Sequence, residues 1–195
     1  MNYGMIKKMD VADGPGIRVS LFVSGCSHHC KDCFNQETWD FQYGSHFTED
    51  TVNELLEAMK PDYIEGLTLL GGEPMEPTNR MVLLSLVQKI KQQYPEKSIW
   101  CYSGYLCEDL LCWAGITDVQ VKKTGDTNTY GQKYLASSPA SDHAELRELL
   151  MGIDVLVDGE FMADYRNLML KFRGSENQRL IHLKRTLEEK TIVLL

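Results

Sequence analysis

The chain has 195 residues, of which 43% are hydrophobic and 25% are charged, as expected for one globular domain with a sizeable core. Its net charge of −8 argues against a general nucleic-acid-binding function, which needs a basic surface. No apolar run approaches the roughly 20 residues that span a bilayer, and the amino terminus lacks a signal-peptide pattern. We therefore expect a cytoplasmic protein without a membrane partner. In that reducing compartment, the six cysteines are expected to be thiols or metal ligands.

Hydrophobic periodicity predicts strands that alternate with helices. Residues 17–23 alternate with period two, which favours a strand. Further strands are expected at residues 66–70, 98–102 and 154–157, with strand-like pieces near 169–172 and 180–183. Helices are expected at residues 48–59, 79–94, 106–114 and 145–150, and loops at 24–47 and 117–142. This order predicts an α/β fold with a parallel sheet and right-handed crossovers.

Candidate functional segments follow each of the first four predicted strands. They are the cysteine loop, which starts at Ser24, and the segments GGEP (71–74), CYSGY (101–105) and VDGEF (157–161). In parallel sheets, sites form where the strands end. We therefore expect these four segments to meet on one edge of the sheet.

The cysteine loop carries Cys26, Cys30 and Cys33 with the spacing C-x3-C-x2-C. A closed zinc site or a ferredoxin-type four-iron cluster uses four protein ligands. Three thiolates on a four-iron cluster leave one iron open to bind a substrate. A zinc site completed by His28, His29 or a remote ligand is the alternative, although both histidines lie inside the first spacer and are interpreted as loop residues.

The GGEP segment consists of Gly71, Gly72, Glu73 and Pro74. Glycines allow the backbone to approach a ligand closely, and Glu73 can accept hydrogen bonds from an ammonium group. Alone, the segment would be interpreted as a simple turn. Together with the three cysteines it favours a cluster site over a zinc site.

The three-cysteine spacing and the GGEP segment resemble those of radical S-adenosylmethionine enzymes. This resemblance implies a [4Fe-4S] cluster bound by Cys26, Cys30 and Cys33, whose open iron chelates the methionine part of S-adenosylmethionine. It also implies reductive cleavage of that cofactor to methionine and a 5′-deoxyadenosyl radical, with the protein orienting the cofactor and excluding water. The GGEP residues are then expected to hold the methionine end.

A longer match is similar to the glycyl-radical-activating enzymes within that superfamily. It comprises Gly14, Gly16, Arg18, Phe22, Gly25, Cys26, Cys30, Cys33 and Asn35. The segments 154–161 and 170–179 are similar to the subfamily that activates the anaerobic ribonucleoside-triphosphate reductase. The resemblance implies an enzyme that generates a glycyl radical on the large subunit of that reductase, and a flavodoxin-type protein as reductant.

The same resemblance sets expectations for the architecture. We expect a single radical S-adenosylmethionine domain over residues 1–195, with a loop insertion at about 122–143 and an extended tail after Lys184. A closed eight-unit barrel needs about 250 residues, so a partial, open (β/α) barrel is expected. An open side suits a substrate that is itself a protein.

Two further cofactor contacts are expected. Many superfamily members have an aromatic residue before the third cysteine, where this chain has Asp32. We therefore expect main-chain contacts from Asp32, Cys33 and Phe34 instead of side-chain stacking at position 32. For Asp158, the resemblance implies a contact to the ribose or to a nearby cation, while a strand-end carboxylate in a turn is an equal interpretation.

Other interpretations stay open at this point. A radical enzyme acting on a small molecule and an iron–sulfur electron carrier are the competing functions, disfavoured by the short barrel and by the GGEP segment. Cys101, Cys107 and Cys112 could form a second cluster, but buried thiols are the default expectation.

Overall fold

The computed structural model describes residues 1–120 and 140–195, and the side chains from residue 144 onward in the second range. Within this part the fold is a seven-stranded mixed sheet with five α-helices. The strands are β1 (Asn2–Asp10), β2 (Ile17–Val23), β3 (Ser45–His46), β4 (Ile64–Gly71), β5 (Ser98–Ser103), β6 (Val155–Asp158) and β7 (Arg179–His182). The helices are α1 (Glu49–Met59), α2 (Pro77–Gln93), α3 (Cys107–Trp113), α4 (Ala140–Gly152) and α5 (Leu183–Glu189).

The sheet has a parallel centre flanked by antiparallel strands. Its order is β3-β1-β2-β4-β5-β6-β7, and β2, β4, β5 and β6 run parallel. The strands β1 and β7 pair antiparallel with β2 and β6. The predicted parallel sheet is thus confirmed for the four central strands, while the complete sheet is mixed.

Local signals explain why the central elements form where they do. Helix α1 begins after Thr48, whose side chain and that of Thr51 form a reciprocal capping box. Helix α2 carries Pro77 at its first turn, where a missing N–H costs little. The side chains of Leu55, Leu83 and Ile99 are buried in the main hydrophobic core, which joins the helices to the sheet.

Arg18 ties three of the parallel strands together below the site. Its fully buried guanidinium donates to Thr68 Oγ1 (2.7 Å), to the Leu67 carbonyl oxygen (2.8 Å) and to the Ser98 carbonyl oxygen (2.9 Å). It also lies 5.6 Å from the centre of the Trp100 ring. These contacts provide hydrogen-bond acceptors for the buried guanidinium and fix β2, β4 and β5 relative to one another.

Three expectations from the sequence need correction. Strand β1 was not predicted, because its Lys and Asp residues interrupt the apolar–polar alternation that indicates a strand. A strand near the sheet edge does not need that alternation. The predicted piece at 169–172 is wrong, since these residues lie in a loop and Phe172 has a left-handed backbone (φ 58°) that a strand does not adopt. The piece at 180–183 is β7, but Leu183 already begins α5.

The predicted loop at 24–47 contains a short 3₁₀ helix (Gln36–Trp39) and β3. Most of the predicted insertion at about 122–143 lies outside the described residues, and its last four residues belong to α4. The expected tail after Lys184 contains most of α5 and then returns to the sheet through a bridge between Ile181 and Leu194. No helix of the described ranges combines the length and apolar character needed to cross a membrane.

Candidate active site at the carboxyl edge of the sheet

A cavity of about 480 Å³ opens where the parallel strands end. It is lined by all three loop thiols, by Gly71, Gly72 and Glu73, and by residues that follow β5 and β6. The volume is in the range of small-molecule and cofactor sites. The four segments that the sequence placed on one edge therefore meet in one cavity.

Backbone hydrogen bonds fold the cysteine loop back onto its own base. The Gly25 N–H donates to the Thr38 carbonyl oxygen (2.8 Å) and the Cys26 N–H to the Trp39 carbonyl oxygen (3.2 Å). Within the loop, His29 (φ 51°) and Asp32 (φ 59°) have left-handed backbones. A non-glycine residue in this region is uncommon and marks a tightly constrained loop.

The thiols differ in exposure and share amide neighbours. Cys26 is buried, whereas Cys30 and Cys33 are partly exposed. The Asn35 N–H donates to the Cys33 sulfur at 3.4 Å, and the N–H groups of His28 and His29 act on Cys26. Burial, helped by the charge of Glu73, raises the pKa of Cys26 to about 12. Burial and the charge of Glu160 raise the pKa of Cys30 to about 11.

These features fit an iron–sulfur cluster. Buried thiols hold their protons unless a cation compensates them, and ligation to a metal supplies that charge and deprotonates the thiol. Among residues 1–120 and 140–195, no three Cys, His, Asp or Glu side chains are grouped so as to hold one metal ion. A four-iron cluster makes a different demand, because each thiolate ligates its own iron. Three thiols around one cavity meet that demand.

The GGEP turn packs directly on the cysteine loop. The Gly72 N–H donates to the Val23 carbonyl oxygen and the Glu73 N–H to the Gly25 carbonyl oxygen, both at 2.8 Å. A Cβ atom at Gly72 would lie 2.6 Å from the Gly25 carbonyl oxygen and 3.0 Å from that of Thr38. A glycine is therefore required at position 72 so that the turn can pack against the backbone of Gly25 and Thr38. This requirement is separate from the close approach to a ligand that was expected from the sequence.

The carboxylate of Glu73 is buried, with 1% exposure, and already has several donors. Its Oε1 accepts from the Met75 N–H at 2.8 Å. Its Oε2 accepts from the Gly104 N–H at 2.7 Å and contacts His28 Nε2 at 3.1 Å. Glu73 thus connects the turn after β4 with the segments after β2 and β5.

Sequence reasoning missed the role of His28, which it interpreted as a loop residue. Its side chain is only 8% exposed and lies between Glu73 and Glu160, with Nδ1 at 3.0 Å from Glu160 Oε1. Burial by itself lowers the pKa of His28, but the hydrogen bonds to Glu160 and Glu73 together with their charges raise it to about 10. The available signal was a histidine in the spacer of a loop that faces an acidic turn.

Two further contacts at the base of the cysteine loop were also missed. The Glu76 carboxylate accepts from the Ser27 N–H at 3.0 Å and from its hydroxyl. The Asn79 side-chain amide donates to the carbonyl oxygens of Ser24 (3.1 Å) and Glu73 (3.0 Å). Both residues stand at the start of α2, so this helix fixes the loop and the turn together.

A carboxyl pair lies at another part of the cavity and was not predicted. Asp13 lines the cavity, while Asp10 beside it is buried. Burial first, and then the hydrogen bond and charge of Asp10, raise the pKa of Asp13 to about 7. The pair therefore shares a proton in the acidic to neutral range.

The structure separates the remaining predicted residues into two groups. Cys33 and Phe34 line the cavity, whereas Asp32 is exposed and Pro74 is buried, and neither of these two lines it. Asp158 is fully buried and also does not line it. Its contact to the cofactor therefore stays a prediction.

Within the protein, the carboxylate of Asp158 pairs with the guanidinium of Arg179. Arg179 donates to both oxygens of Asp158 and also pairs with Glu108. The Cys107 N–H donates to Asp158 Oδ2 at 2.8 Å. This network joins β6, β7 and α3 behind the cavity.

The cysteines outside the loop are free thiols in different environments. Cys101 and Cys107 are buried in the hydrophobic core, as expected. Cys112 is exposed, so the expectation of a buried thiol is wrong at this position. It lies on the solvent side of the short helix α3, whose opposite face carries Cys107 and Leu110 into the core.

Comparison with known proteins agrees with this site. Residues 12–181 match the family model described as "4Fe-4S single cluster domain". The chain is 38% identical over 182 residues to the anaerobic ribonucleoside-triphosphate reductase-activating protein of Enterobacteria phage T4, covering 92% of this chain and 93% of that protein. It is 36% identical over 184 residues to the protein of the same name from Vibrio cholerae, covering 93% and 97%.

The protein of that name from Escherichia coli K12 is 32% identical over 186 residues, covering 94% of this chain and 100% of the relative. Identity at this level over nearly complete chains, together with the family model, is sufficient to assign the family. The chain belongs to the family of anaerobic ribonucleoside-triphosphate reductase-activating proteins.

Proposed function

We propose that this chain is an activating enzyme that generates a glycyl radical on the anaerobic ribonucleoside-triphosphate reductase, using S-adenosylmethionine and a [4Fe-4S] cluster. The observation that carries the proposal is the convergence of three thiols and the GGEP turn on one cavity. The names of the relatives, which are reductase-activating proteins, support the same target.

The residues divide the work at the cavity. Cys26, Cys30 and Cys33 hold the cluster, and Gly71, Gly72 and Glu73 hold the methionine end of the cofactor. When bound, the cluster supplies the electron that cleaves S-adenosylmethionine to methionine and a 5′-deoxyadenosyl radical, which takes a hydrogen atom from a glycine. The protein orients the cofactor and keeps water away from this chemistry.

The remaining cofactor contacts belong to the same proposal. The main chain of Asp32, Cys33 and Phe34 contacts the cofactor beside the cluster, which is supported by the cavity-lining positions of Cys33 and Phe34. Pro74 shapes the GGEP turn from its buried position. Asp158 acts on the cofactor through the turn that follows β6, since its own oxygens are engaged by Arg179.

The architecture proposed for this function is a partial, open (β/α) barrel in a single domain. Four consecutive parallel strands with helical crossovers support it. An antiparallel strand on each side of them leaves the sheet open at both edges. The site is then accessible from a side that a closed barrel would cover.

An open cavity suits a protein substrate, and its mouth carries exposed apolar side chains. Phe34 is 56% exposed, Leu168 is 81% exposed and Met169 is 88% exposed. Phe34 and Leu168 also line the cavity. Exposed apolar groups of this kind mark interaction surfaces. We infer that the reductase presents a glycine of a flexible carboxyl-terminal loop here and seals the cavity.

The electron donor and the compartment complete the proposal. Cys30 and Cys33 are partly exposed, which supports access for a flavodoxin-type reductant, as the family resemblance implies. All six cysteines are free thiols, which supports function in the reducing cytoplasm.

The decisive experiment follows the hydrogen atom. The reconstituted, reduced protein is mixed without oxygen with S-adenosylmethionine and a reductase whose glycines carry deuterium at Cα. We expect deuterium in the released 5′-deoxyadenosine and a glycyl radical signal in electron paramagnetic resonance spectra. Transfer from a deuterated nucleotide instead would indicate a small-molecule enzyme, and absence of any cofactor cleavage would indicate an electron carrier.

A further inference from the structure

A single imidazole, that of His28, contacts all three of the segments that follow β4, β5 and β6. His28 itself belongs to the loop that follows β2. Its Nε2 lies 3.1 Å from Glu73 after β4, and its Nδ1 lies 3.0 Å from Glu160 after β6. Its ring centre lies 4.4 Å from that of Tyr105 after β5. All four segments of the site therefore meet at this side chain.

The space around His28 is shaped to hold the ring in one orientation. A Cβ atom at Gly104 would lie 2.6 Å from both Cδ2 and Nε2 of the imidazole. The absence of a side chain at Gly104 therefore leaves the space that the imidazole ring occupies. The Gly104 N–H donates to Glu73 Oε2, the same oxygen that faces His28 Nε2. A ring nitrogen that faces a carboxylate must donate, because the carboxylate only accepts.

The acceptor capacity of Glu73 limits what else it can bind. A carboxylate has about four acceptor positions, and those of Glu73 are directed to the Met75 N–H, the Gly104 N–H and His28. About one position remains for a ligand that enters the cavity. The orientation of the whole carboxylate decides where that position lies.

We propose that His28 is a positioning residue for S-adenosylmethionine, because it fixes the Glu73 carboxylate so that its remaining acceptor position receives the ammonium group of the cofactor. Glu160 holds the other ring nitrogen and prevents the imidazole from turning. The role rests on the proposed function, since it assumes that this cavity binds S-adenosylmethionine. It assigns His28 neither to the cluster nor to the reacting atoms.

Two substitutions separate the two hydrogen bonds of the ring. His28→Gln places an amide nitrogen near the position of Nε2 and can keep the bond to Glu73. His28→Asn places an amide nitrogen near the position of Nδ1 and can keep only the bond to Glu160. His28→Ala removes both bonds, and His46→Gln is the control because His46 is exposed on β3.

The experiment measures iron content, the dissociation constant for S-adenosylmethionine, and the change in the electron paramagnetic resonance spectrum of the reduced cluster when the cofactor is added. We expect every variant to retain the cluster. His28→Ala and His28→Asn should raise the dissociation constant for S-adenosylmethionine by about tenfold, as for the loss of a hydrogen bond to a charged group, and should alter the cofactor-induced spectrum. His28→Gln and His46→Gln should remain close to the wild type.

Each contrary result overturns the inference in a recognisable way. Equal cofactor binding and unchanged spectra in all His28 variants would show that His28 only fills space. Equal losses in His28→Gln and His28→Asn would show that the bond to Glu73 is not the relevant one, and loss of the cluster in His28→Ala would assign His28 to cluster binding. A wild-type protein that holds its cluster but does not bind S-adenosylmethionine would instead refute the proposed function itself, and the inference with it.

Discussion

At the scale of single residues, the three loop cysteines combine one buried thiol with two partly exposed ones. Cys26 sits at the base of the loop, where hydrogen bonds tie its backbone to the short 3₁₀ helix. Cys30 and Cys33 lie farther along the loop and face the same cavity. A cluster held by these three thiols, as proposed, would be shielded on the protein side and accessible from the cavity.

Replacing Cys26, Cys30 or Cys33 with Ala is expected to abolish stable cluster binding, because a four-iron cluster with only two protein thiolates loses a further ligand. Iron content and visible absorbance after anaerobic reconstitution measure the effect. Cys112→Ala is the matched control, since this thiol is exposed and does not line the cavity. A cluster that survives the loop substitutions but is lost when Cys101, Cys107 and Cys112 are all replaced would show that we have assigned the wrong thiols.

The Asp10–Asp13 pair should make stability depend on pH. The pKa of Asp13 is raised to about 7, so the folded protein keeps a proton that the unfolded chain releases above about pH 4. Stability should therefore fall between these values as the pH rises. Asp13→Asn should raise the free energy of unfolding by about 1 kcal/mol at pH 8, a value reduced for solvent screening, and by clearly less at pH 5.

Urea unfolding of both proteins at the two pH values tests this expectation. Glu188→Gln provides the control, because Glu188 is exposed on α5 and its loss should change neither value. The same gain from Asp13→Asn at pH 5 and pH 8 would rule out the shared proton.

At the scale of elements, the site consists of turns that fasten to one another. The GGEP turn bonds to the end of β2, the start of α2 bonds to the cysteine loop, and Gly104 after β5 bonds to Glu73. Each turn thus depends on the position of its neighbours. A steric change in one turn should disturb the cluster site as a whole.

Gly72→Ala tests this dependence. The added Cβ would meet the carbonyl oxygens of Gly25 and Thr38, which belong to backbone and cannot move aside easily. We expect a loss of about 1–3 kcal/mol in the free energy of unfolding, as for overpacking of a core, together with weaker cluster binding. Thermal unfolding and iron content measure the two effects.

Gly115→Ala is the comparison, because Gly115 has a positive φ of 66° but no atom within 4 Å of the place that a Cβ would occupy. It should cost about 1 kcal/mol through backbone strain and leave the cluster unaffected. If Gly72→Ala behaves in the same way, close packing of the GGEP turn is not required.

Arg179 is expected to be the strongest single link between elements behind the site. Arg179→Met leaves the fully buried carboxylate of Asp158 without its cation and should lower the free energy of unfolding by about 3 kcal/mol. Arg185→Met removes an exposed pair with Glu189 within one helix and should cost only about 0.5 kcal/mol. Chemical denaturation of the two variants gives the comparison, and equal losses would contradict the assigned importance of the Asp158 network.

At the scale of the whole molecule, the open sheet leaves the cavity mouth beside a protruding loop. The base of this loop is closed by a bridge between Arg166 and Ser175 and by a hydrogen bond from the Asn167 N–H to the Gly174 carbonyl oxygen (3.2 Å). Its tip carries Leu168 and Met169. A constrained loop with an apolar tip loses little entropy on binding a partner.

Leu168→Asp and Met169→Asp are therefore expected to lower reductase activation by about tenfold, as for loss of a central apolar contact. Met169→Asp should leave cofactor cleavage unchanged, because Met169, unlike Leu168, does not line the cavity. Glycyl radical yield at limiting reductase and the amount of 5′-deoxyadenosine formed without reductase measure the two activities. Tyr63→Asp is the control. Tyr63 is also exposed, but it precedes the amino-terminal end of β4, whereas the cavity lies at the carboxyl-terminal ends of the parallel strands. Equal activation by all variants would remove this loop from the proposed interface.

The sequence by itself determined the central elements of the fold and the chemistry of the site. Hydrophobic periodicity is a local property, and it correctly indicated β2, β4, β5, β6 and the first helices. The thiol spacing and the GGEP segment were equally informative, because ligand type and close backbone approach depend on residue identity. The antiparallel flanks were harder to predict. Strand β1, which lies next to the edge strand β3, need not alternate, and the apolar piece at 169–172 lies on a loop.

Only the tertiary structure decided which polar groups meet at the site. The partners of His28 are Glu73 and Glu160, which lie 45 and 132 residues away along the chain. Arg179 finds Glu108 across 71 residues. Such pairs form because parallel crossovers bring the ends of distant strands to one edge, and burial there makes each unpaired polar group costly. Local sequence patterns do not show which distant residues are in contact. From the sequence, His28 was therefore interpreted as a loop residue, and Arg179 had no assigned role.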